Sequence, residues 1–298
     1  MTDALAPSRP ARLDPRLYQI ATLGALLIYG WTRLDFDITP PRAGLLVASA
    51  LATQWIGTRL CGLTRFDPRS ALISGLSLCL LFRTSEPWLA VAAGAIAVGS
   101  KFAVRLGAKH LFNPTNVAVI LLLLLSDRVW VSPGQWGNLA WFAFLMACAG
   151  SVVVTRAARA DVTFVFLASW LLLVSGRSWW LGEPLAIPLH RFQSGALLLF
   201  AFFMISDPRT TPDSRVGRVL FAVLVAAGAW YVQFRLFRTN GFLWSLAACS
   251  CLVPLLDRWL PGPVYAWTPS QVASAKDDSH ASSGPRRALD AGASALAR

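Results

Sequence analysis

Charged residues are scarce in this sequence. Of its 298 residues only 14% are Asp, Glu, Lys or Arg, whereas 55% are hydrophobic. Average soluble domains carry about 25% charged residues, so the composition excludes a soluble globular enzyme. It also excludes a disordered chain, which would be polar. Apolar runs recur instead from Leu17 to Leu260 with short breaks, and this pattern predicts an all-α, polytopic membrane protein.

The common catalytic and cofactor motifs are absent. The sequence contains no CxxC pair, no Walker loop, no GxGxxG and no GxSxG elbow. Its cysteines number five and lie mostly inside apolar runs, so we expect no disulfide framework. His110 and His190 fall in loops that are predicted on opposite sides of the membrane, so we expect no metal site.

Basic residues outnumber acidic ones, giving a formal net charge of +12. They lie mainly in the short breaks between apolar runs, where positive charges orient a membrane protein and contact anionic lipid. We therefore predict the lipid bilayer as a partner and no nucleic acid. The loops on the side of the two termini carry more Lys and Arg, which predicts a multi-pass protein of the cell inner (plasma) membrane with both termini cytoplasmic.

Ten apolar segments divide the chain. A straight membrane-spanning helix needs about 20 residues, so the third, fifth, seventh and eighth segments are too short and are expected to be tilted, extended or broken. The polar ends are predicted to be a cytoplasmic N-terminal segment (1–16) and a disordered C-terminal tail (261–298). The segments are 17–34, 43–61, 70–83, 87–106, 114–126, 136–155, 162–176, 193–206, 216–234 and 241–258.

Landmarks recur in the same order in both halves. Ser74-Gly75 and Ser194-Gly195 each begin an apolar stretch, which ends at Ser85-Glu86-Pro87 in one half and at Ser206-Asp207-Pro208 in the other. A longer apolar segment, a basic loop and an Asn-initiated segment follow each time. We therefore predict two five-helix repeats, 17–130 and 131–260. Since five is odd, the second repeat enters the membrane from the opposite side, which makes an inverted repeat.

The two acidic-Pro motifs have two interpretations. A capping residue followed by Pro is typical of a helix start, so Glu86 and Asp207 are each expected to cap the following helix. Alternatively, each motif marks a chain break within the membrane, where polar groups line a cavity. On this second interpretation Ser206 and Asp207 are candidate cofactor-binding residues.

A second candidate region follows the basic residues of the first half. Asn113-Pro114 is expected to cap a helix, and its free N–H groups would favour an anion or an electron-rich ring edge. Thr115 and Asn116 lie in the same first turn, and Lys101 follows an apolar run, where a charge is costly and often functional. We predict Lys101, Asn113, Thr115 and Asn116 as cofactor-binding residues; the alternative is an ordinary cap beside interfacial bases.

Three motifs resemble one membrane-protein family. They are Leu111-Phe112-Asn113-Pro114-Thr115-Asn116, Phe203-Met204-Ile205-Ser206-Asp207-Pro208 and Leu252-Val253-Pro254-Leu255-Leu256-Asp257. In this order they resemble the RnfD component of the Rnf electron-transport complex and the NqrB component of the sodium-pumping NADH:quinone reductase. The sequence is still more similar to a short branch, the UnbU-type proteins encoded with enediyne biosynthesis genes.

The resemblance implies a fold of ten helices in two inverted halves, related to urea and ammonium channels. It also implies electron transport coupled to ion transport, other membrane redox subunits as partners, and FMN esterified to a threonine after the fifth segment. Here that stretch, Val131–Gly137, contains no Thr. Covalent FMN is therefore not expected, whereas a noncovalent flavin (FMN or riboflavin) or an isoprenoid quinone remains compatible, as does a non-catalytic subunit.

The residues and the resemblance together indicate three functions. The leading one is an integral membrane subunit of the RnfD/NqrB type, with its site between the halves. The alternatives are a cofactor-free channel or carrier for a small solute, and an accessory membrane protein of natural-product (enediyne) biosynthesis. The missing flavin threonine favours both alternatives, and flavin absorbance of the purified protein would distinguish the redox function from them.

Overall fold

The computed structural model describes residues 14–63, 66–106, 109–132, 140–192 and 194–265. The chain divides into two compact units, Met1–Pro263 and Val264–Arg298. All the helices and strands below lie in the first unit. The predicted N-terminal segment and C-terminal tail fall almost wholly outside the described residues.

The residues of the first half that the structure describes form five helices, and four of them begin with proline. Proline suits the first turn because its missing N–H would have no intrahelical acceptor there. Asp14 caps the first helix by accepting from the Arg16 N–H at 2.9 Å. The helices are α1 (Pro15–Arg33), α2 (Pro40–Leu60), α3 (Arg69–Leu81), α4 (Pro87–Ala103) and α5 (Pro114–Leu125).

Two short antiparallel strand pairs connect these helices. The strand β1 (Phe82–Thr84) continues from α3 and pairs with β4 (Val129–Val131), which follows α5. The strands β2 (Arg105–Leu106) and β3 (Lys109–His110) pair between α4 and α5. The first pair therefore fixes the end of α3 beside the end of α5.

The described residues of the second half form seven helices and one π-helical segment. The helix α7 has 21 residues, so the seventh apolar segment is extended, one of the three outcomes expected for a segment too short to span a membrane; polar Arg177 and Ser178 lie inside this helix rather than ending it. The elements are α6 (Ala140–Arg156), α7 (Ala160–Trp180), α8 (Ala186–Phe192), α9 (Gly195–Leu199), the π segment (Phe200–Met204), α10 (Arg215–Phe234), α11 (Gly241–Ser250) and α12 (Val253–Trp259).

Several helices of the first half and of the second half have similar patterns of neighbours. In the first half α4 packs against α2 and α5, and in the second half α10 packs against α7 and α11. Likewise α1 contacts α3, whereas α6 contacts α9 and the π segment. Between the halves, α1 contacts α6 and α5 contacts α11.

Small residues permit the closest of these approaches. At Gly94 of α4, an added Cβ would lie 1.9 Å from the Ser49 hydroxyl oxygen and 2.8 Å from the Leu46 carbonyl oxygen of α2. No side chain fits there without separating the two helices. Close packing through glycine is characteristic of helix association in membranes, where burial of apolar surface provides little driving force.

The core is centred on the π segment, all five of whose residues are buried. Phe200 contacts Phe166 of α7 and Phe242 of α11, with ring centroids 5.1 and 5.4 Å apart. Large apolar side chains also cover the outside: Leu172 of α7 is 74% exposed and Trp179 is 82% exposed. In water such a surface would promote aggregation, whereas in a bilayer it faces lipid.

Within the described ranges, two helices, α7 and α10, are long and apolar enough to cross a membrane. The number rises to four if two bent pairs, α8 with α9 and the π segment, and α11 with α12, each form one span. The bend between α11 and α12 is 49°. The protein is thus mainly helical with two to four candidate spans by length and composition, in agreement with a polytopic membrane protein.

Candidate functional site

The start of α5 carries three buried polar side chains. Asn113, Thr115 and Asn116 are at most 5% exposed. The Asn113 side-chain oxygen accepts from the Asn116 N–H at 3.1 Å, so the predicted cap is confirmed. Its amide nitrogen donates to the Met204 carbonyl at 3.2 Å, which satisfies one carbonyl of the π segment.

Asn116 connects the same turn to α11. Its amide nitrogen donates to the Leu243 carbonyl at 3.1 Å, and among the described residues its side-chain oxygen has no hydrogen-bond partner. The start of α5 therefore binds the backbone of two elements of the second half. Buried amides of this kind fix the relative position of packed helices, because an unpaired carbonyl in an apolar interior is costly.

Ser206 and Asp207 directly follow the π segment. The Ser206 hydroxyl donates to the Phe202 carbonyl at 2.6 Å, and the Asp207 side chain accepts from the Arg209 N–H at 3.0 Å. The backbone carbonyl of Asp207 accepts from the N–H groups of Thr210 and Thr211. Asp207 therefore closes a tight turn, and burial raises the pKa of its carboxyl group.

The predicted caps at the acidic-Pro motifs were wrong. Asp207 does not cap the next helix, since α10 begins at Arg215 and is capped by Ser214, whose hydroxyl accepts from the Gly217 N–H at 3.0 Å. Glu86 precedes α4 but forms no side-chain cap. In both cases the acidic side chain makes a different contact: Glu86 pairs with Arg128, and Asp207 accepts from the Arg209 N–H within its own turn.

Lys101 is buried between α4 and α3. It is 5% exposed and donates to the carbonyl and hydroxyl oxygens of Ser70, at 2.8 and 2.9 Å. Its charge also interacts with the carboxylate of Asp207, so the structure brings these two predicted site residues near each other. Asn113 and Ser206 each contact a backbone carbonyl of the π segment.

An ion-pair cluster that the sequence did not predict lies beside this turn. The Lys109 ammonium group is 3.0 Å from an Asp213 carboxylate oxygen and 2.6 Å from an Asp257 oxygen, and it also donates to the Thr211 carbonyl at 2.9 Å. Burial raises the pKa of Asp213, and the Lys109 charge opposes this effect. We call Lys109, Asp213 and Asp257 the Lys109 cluster.

His110 is adjacent to this cluster and stays uncharged at neutral pH. The backbone N–H of His110 donates to the backbone carbonyl of Arg209 at 3.2 Å. Burial lowers the pKa of its imidazole to about 3, assisted by the positive charges of Lys101, Arg209 and Arg105. The side chain therefore does not exchange a proton near pH 7.

A cavity of about 570 Å³ lies beside the backbone that the α5 amides hold. Met204 and Leu243, whose carbonyls accept from Asn113 and Asn116, belong to its wall. This volume is within the range of about 300–1,000 Å³ that is typical of small-molecule sites. Aromatic, basic and hydroxyl side chains also line the cavity: Phe200, Phe234, Phe237, Phe242, Arg177, Arg191, Arg238, Ser132, Ser194 and Thr239.

Aromatic rings and guanidinium groups are in contact on one wall of this cavity. The guanidinium carbon of Arg177 lies 4.5 Å from the centre of the Phe234 ring, and that of Arg191 lies 5.1 Å from it. Trp170 stacks against the same ring at 6.4 Å. Such a wall suits a planar ring system with an attached anionic group.

The Thr-free stretch reaches this cavity. Val131 and Ser132 line it, whereas residues 133–137 are outside the described part of the chain. Of the two later threonines, Thr163 is fully buried and donates to the Ala201 carbonyl at 2.7 Å, and Thr155 is exposed. Neither of these two threonines lines the cavity.

Nearly all of the cavity lies in the part of the chain that matches a known family. Residues 121–265 match the NQR2, RnfD, RnfE family. This match agrees with the predicted resemblance and includes two of its three motifs, Phe203–Pro208 and Leu252–Asp257. The UnbU-type branch stays a prediction.

Curated relatives have names from the same family. The D subunit of the ion-translocating oxidoreductase complex of Escherichia fergusonii is 31% identical over 134 residues, which are 44% of this chain and 36% of that protein. The protein of the same name from Escherichia coli O1:K1 is 32% identical over 135 residues, and that from Shigella flexneri serotype 5b is 31% identical over 134 residues, each with the same coverage. The match therefore spans about a third of the length of these relatives.

Proposed function

We propose that this protein is an integral membrane subunit of the RnfD/NqrB type that takes part in electron transport coupled to transmembrane ion transport. The observation that carries the proposal is the aromatic and basic cavity within residues 121–265, the part that matches the RnfD-containing family. The relatives are named as subunits of an ion-translocating oxidoreductase complex, so the proposed partners are other membrane redox subunits and the lipid of the inner membrane.

The proposed architecture is an inverted repeat of residues 17–130 and 131–260. It is supported by the equivalent packing of α4 with α2 and α5, and of α10 with α7 and α11. The contacts between α1 and α6 and between α5 and α11 join elements at equivalent places in the two halves, as a two-fold axis requires. In this architecture the short helix α5 of the first half is equivalent to the bent pair α11 and α12 of the second half. The chain then has ten membrane spans, provided that each short apolar helix crosses the membrane together with the residues that flank it.

The proposed ligand is a flavin held without a covalent bond. The cavity has the volume, the aromatic wall and the arginines that FMN requires, since a guanidinium group can donate two parallel hydrogen bonds to a phosphate. Its hydroxyl groups belong to Ser132, Ser194 and Thr239, and Val131–Gly137 provides no threonine for the family's phosphoester. A flavin bound here would supply one- and two-electron transfer.

Residues of this chain would position the ring system and exclude water. Phe200 and Phe242 provide apolar surface on the inner side, and Arg177 is oriented by Glu183 at 2.9 Å as well as by Phe234. Asn113 and Asn116 act through the backbone of the cavity wall, because they hold the carbonyls of Met204 and Leu243. They are therefore positioning residues in this proposal.

A flavin titration tests the proposal. We expect the purified full chain in lipid nanodiscs to show a flavin absorbance band near roughly 450 nm, or to quench the fluorescence of added FMN with saturation. Arg238→Gln should weaken FMN binding more than riboflavin binding, since only FMN carries the phosphate. Arg128→Gln is the matched control, because Arg128 is exposed and absent from the cavity lining.

Variants of the α5 turn test the positioning role. We expect Asn113→Ala to insert and fold but to bind both flavins more weakly, because the Met204 carbonyl loses its donor. Asp207→Ala should reduce stability and ligand binding together, because Asp207 holds the adjoining turn. A colourless protein that binds neither flavin but passes a solute in liposomes would refute the redox proposal in favour of a channel.

Arg42, a residue in the loop predicted between the first two segments, is unsuitable as a silent control for these variants. It lies in α2 and donates to the Thr84 carbonyl and, at 2.8 Å, to the Ser85 carbonyl. It therefore fixes the start of α4 relative to α2.

A further inference from the structure

A buried arginine lies in the first half of the chain, outside the lining of the flavin cavity. Arg83 is in β1 and only 3% exposed. One terminal nitrogen donates to the carbonyls of Cys79 and Phe82, each at 2.9 Å. Its Nε and its other terminal nitrogen have no hydrogen-bond partner among the described residues. A buried cation with unused donors is strongly unfavourable unless a counter-charge satisfies it.

Arg83 lines a crevice of about 230 Å³. Thr39, Thr84 and Ser85 also line it and contribute polar backbone or hydroxyl groups. A water molecule takes about 30 Å³ in the liquid, so the crevice has room for a group of several heavy atoms but not for a flavin. Its size and polarity fit a small oxyanion.

Neighbouring groups hold the Arg83 side chain in place. Its guanidinium carbon lies 5.5 Å from the centre of the Phe36 ring, and the pairing of Phe82 with Val131 fixes the backbone of β1. The donors are therefore positioned before any ligand arrives, which reduces the entropy that binding costs.

Two charged residues near Arg83 affect which ligand is favoured. Arg42 lines the crevice and uses its guanidinium group on the Thr84 and Ser85 carbonyls. Asp37 is exposed, also lines the crevice, and interacts electrostatically with Arg83. Asp37 would oppose an incoming anion, so its removal should strengthen anion binding.

We propose that the Arg83 crevice is a binding site for a small oxyanion of the phosphate or carboxylate class. The group is either a soluble anion or the phosphate of a lipid headgroup, which share the same acceptor chemistry. Planar guanidinium donors recognise both. This crevice is separate from the cavity of about 570 Å³ that is proposed to hold a flavin, and the anion proposal does not depend on the redox proposal.

Thermal unfolding with inorganic phosphate as the probe tests this site. In nanodiscs of zwitterionic phosphatidylcholine, phosphate at constant ionic strength should raise the unfolding temperature with saturation, as binding to the folded state requires. Arg83→Met should abolish the shift, whereas Arg128→Met, at an exposed position outside the crevice, should keep it. If phosphatidylglycerol nanodiscs give the stabilisation without phosphate, and only when Arg83 is present, the anion is a headgroup phosphate.

Asp37→Asn keeps the proposal testable if Arg83→Met fails to fold. Because Asp37 is exposed, this variant should fold normally and bind phosphate roughly two- to five-fold more tightly, the effect of removing one surface charge interaction. A wild-type protein with no saturable shift in either lipid would overturn the proposal, as would a shift that is unchanged in Arg83→Met. If the wild type shows no saturable shift, Asp37 is the counter-ion of Arg83, and Asp37→Asn would then lower the unfolding temperature.

Discussion

Replacing Lys109 with methionine removes the single cation of the Lys109 cluster. Its side chain is 14% exposed, and those of Asp213 and Asp257 are 10% and 21% exposed. Removing one member of a buried ion pair costs about 3–5 kcal/mol when the remaining charge is left without compensation, but here the positive charge of Arg159 still acts on Asp213. Since these side chains keep some contact with water, we expect a loss near the lower figure, about 3 kcal/mol.

The loss should depend on pH. Burial raises the pKa of Asp213 in the folded protein, and without Lys109 it should rise further. A group whose pKa is higher in the folded than in the unfolded state stabilises the fold at low pH, and this contribution is lost as pH rises through the folded pKa. Lys109→Met should therefore be closer to the wild type at about pH 5 than at about pH 8.

Equilibrium unfolding in mixed micelles provides the measurement, with the free energy of unfolding determined at both pH values. Arg128→Met is the matched control, because it removes one arginine from the Glu86 pair, in which the arginine side chain is 67% exposed; such pairs contribute about 0–1 kcal/mol. If Lys109→Met and Arg128→Met lose equal stability, or if the Lys109→Met deficit does not change with pH, the cluster does not hold this part of the fold.

Three further outcomes are expected. Asn116→Ala should lose about 1–3 kcal/mol of unfolding free energy, because a buried backbone carbonyl of α11 loses its donor, whereas Thr32→Ala at an exposed helix position should stay within about 0.5 kcal/mol of wild type. Gly94→Ala should lower the free energy of unfolding by about 1–3 kcal/mol in the same assay, since the added Cβ would lie 2.8 Å from the Leu46 carbonyl oxygen. Gly99→Ala should be neutral or stabilising, because the nearest atom to its added Cβ, a methyl carbon of Thr53, would be 3.9 Å away. Intact-mass spectrometry after denaturation should show no FMN adduct; an adduct would contradict noncovalent binding and direct attention to the hydroxyl groups of the cavity.

The helix boundaries were largely predictable from the sequence. Most predicted apolar segments coincide with an observed helix to within a few residues, because the apolar length and the flanking prolines act locally. Pro40 and Pro87 each begin a helix, and Asn113 caps α5 as its sequence context predicts. Local signals of this kind do not require knowledge of the tertiary structure.

Three local features were not predictable from hydropathy. The short helix α8, the strand pair β1–β4 and the break at Cys251–Leu252 leave the apolar pattern almost unchanged. A π-helical turn likewise has the same composition as an α-helical one. The sequence therefore predicted where the helices lie, but not the short strands, the helix break or the π turn that interrupt them.

The site was predictable only in part, because its contacts are distant in sequence. Asn113 and Asp207 were found through their prolines, but Lys109 pairs with Asp257, which is 148 residues away. The family motif ending at Asp257 gave a signal for one partner, and nothing in the local sequence identified the other. In the sequence Arg83 is only the last residue of the third apolar segment, and its burial follows from the pairing of β1 with β4, which no local pattern indicates.

The π segment has a consequence for mutational tolerance. A π turn holds one more residue than the α-helical turn it replaces, so Phe200–Met204 contains one residue more than regular winding needs. Removing one residue there and restoring α-helical winding would leave the phase of the following residues nearly unchanged, because about five residues in a π turn complete a rotation similar to that of four α-helical residues at about 100° each. A single-residue deletion should therefore be tolerated better in the π segment than in the middle of α7, where it would rotate the rest of the helix by about 100°.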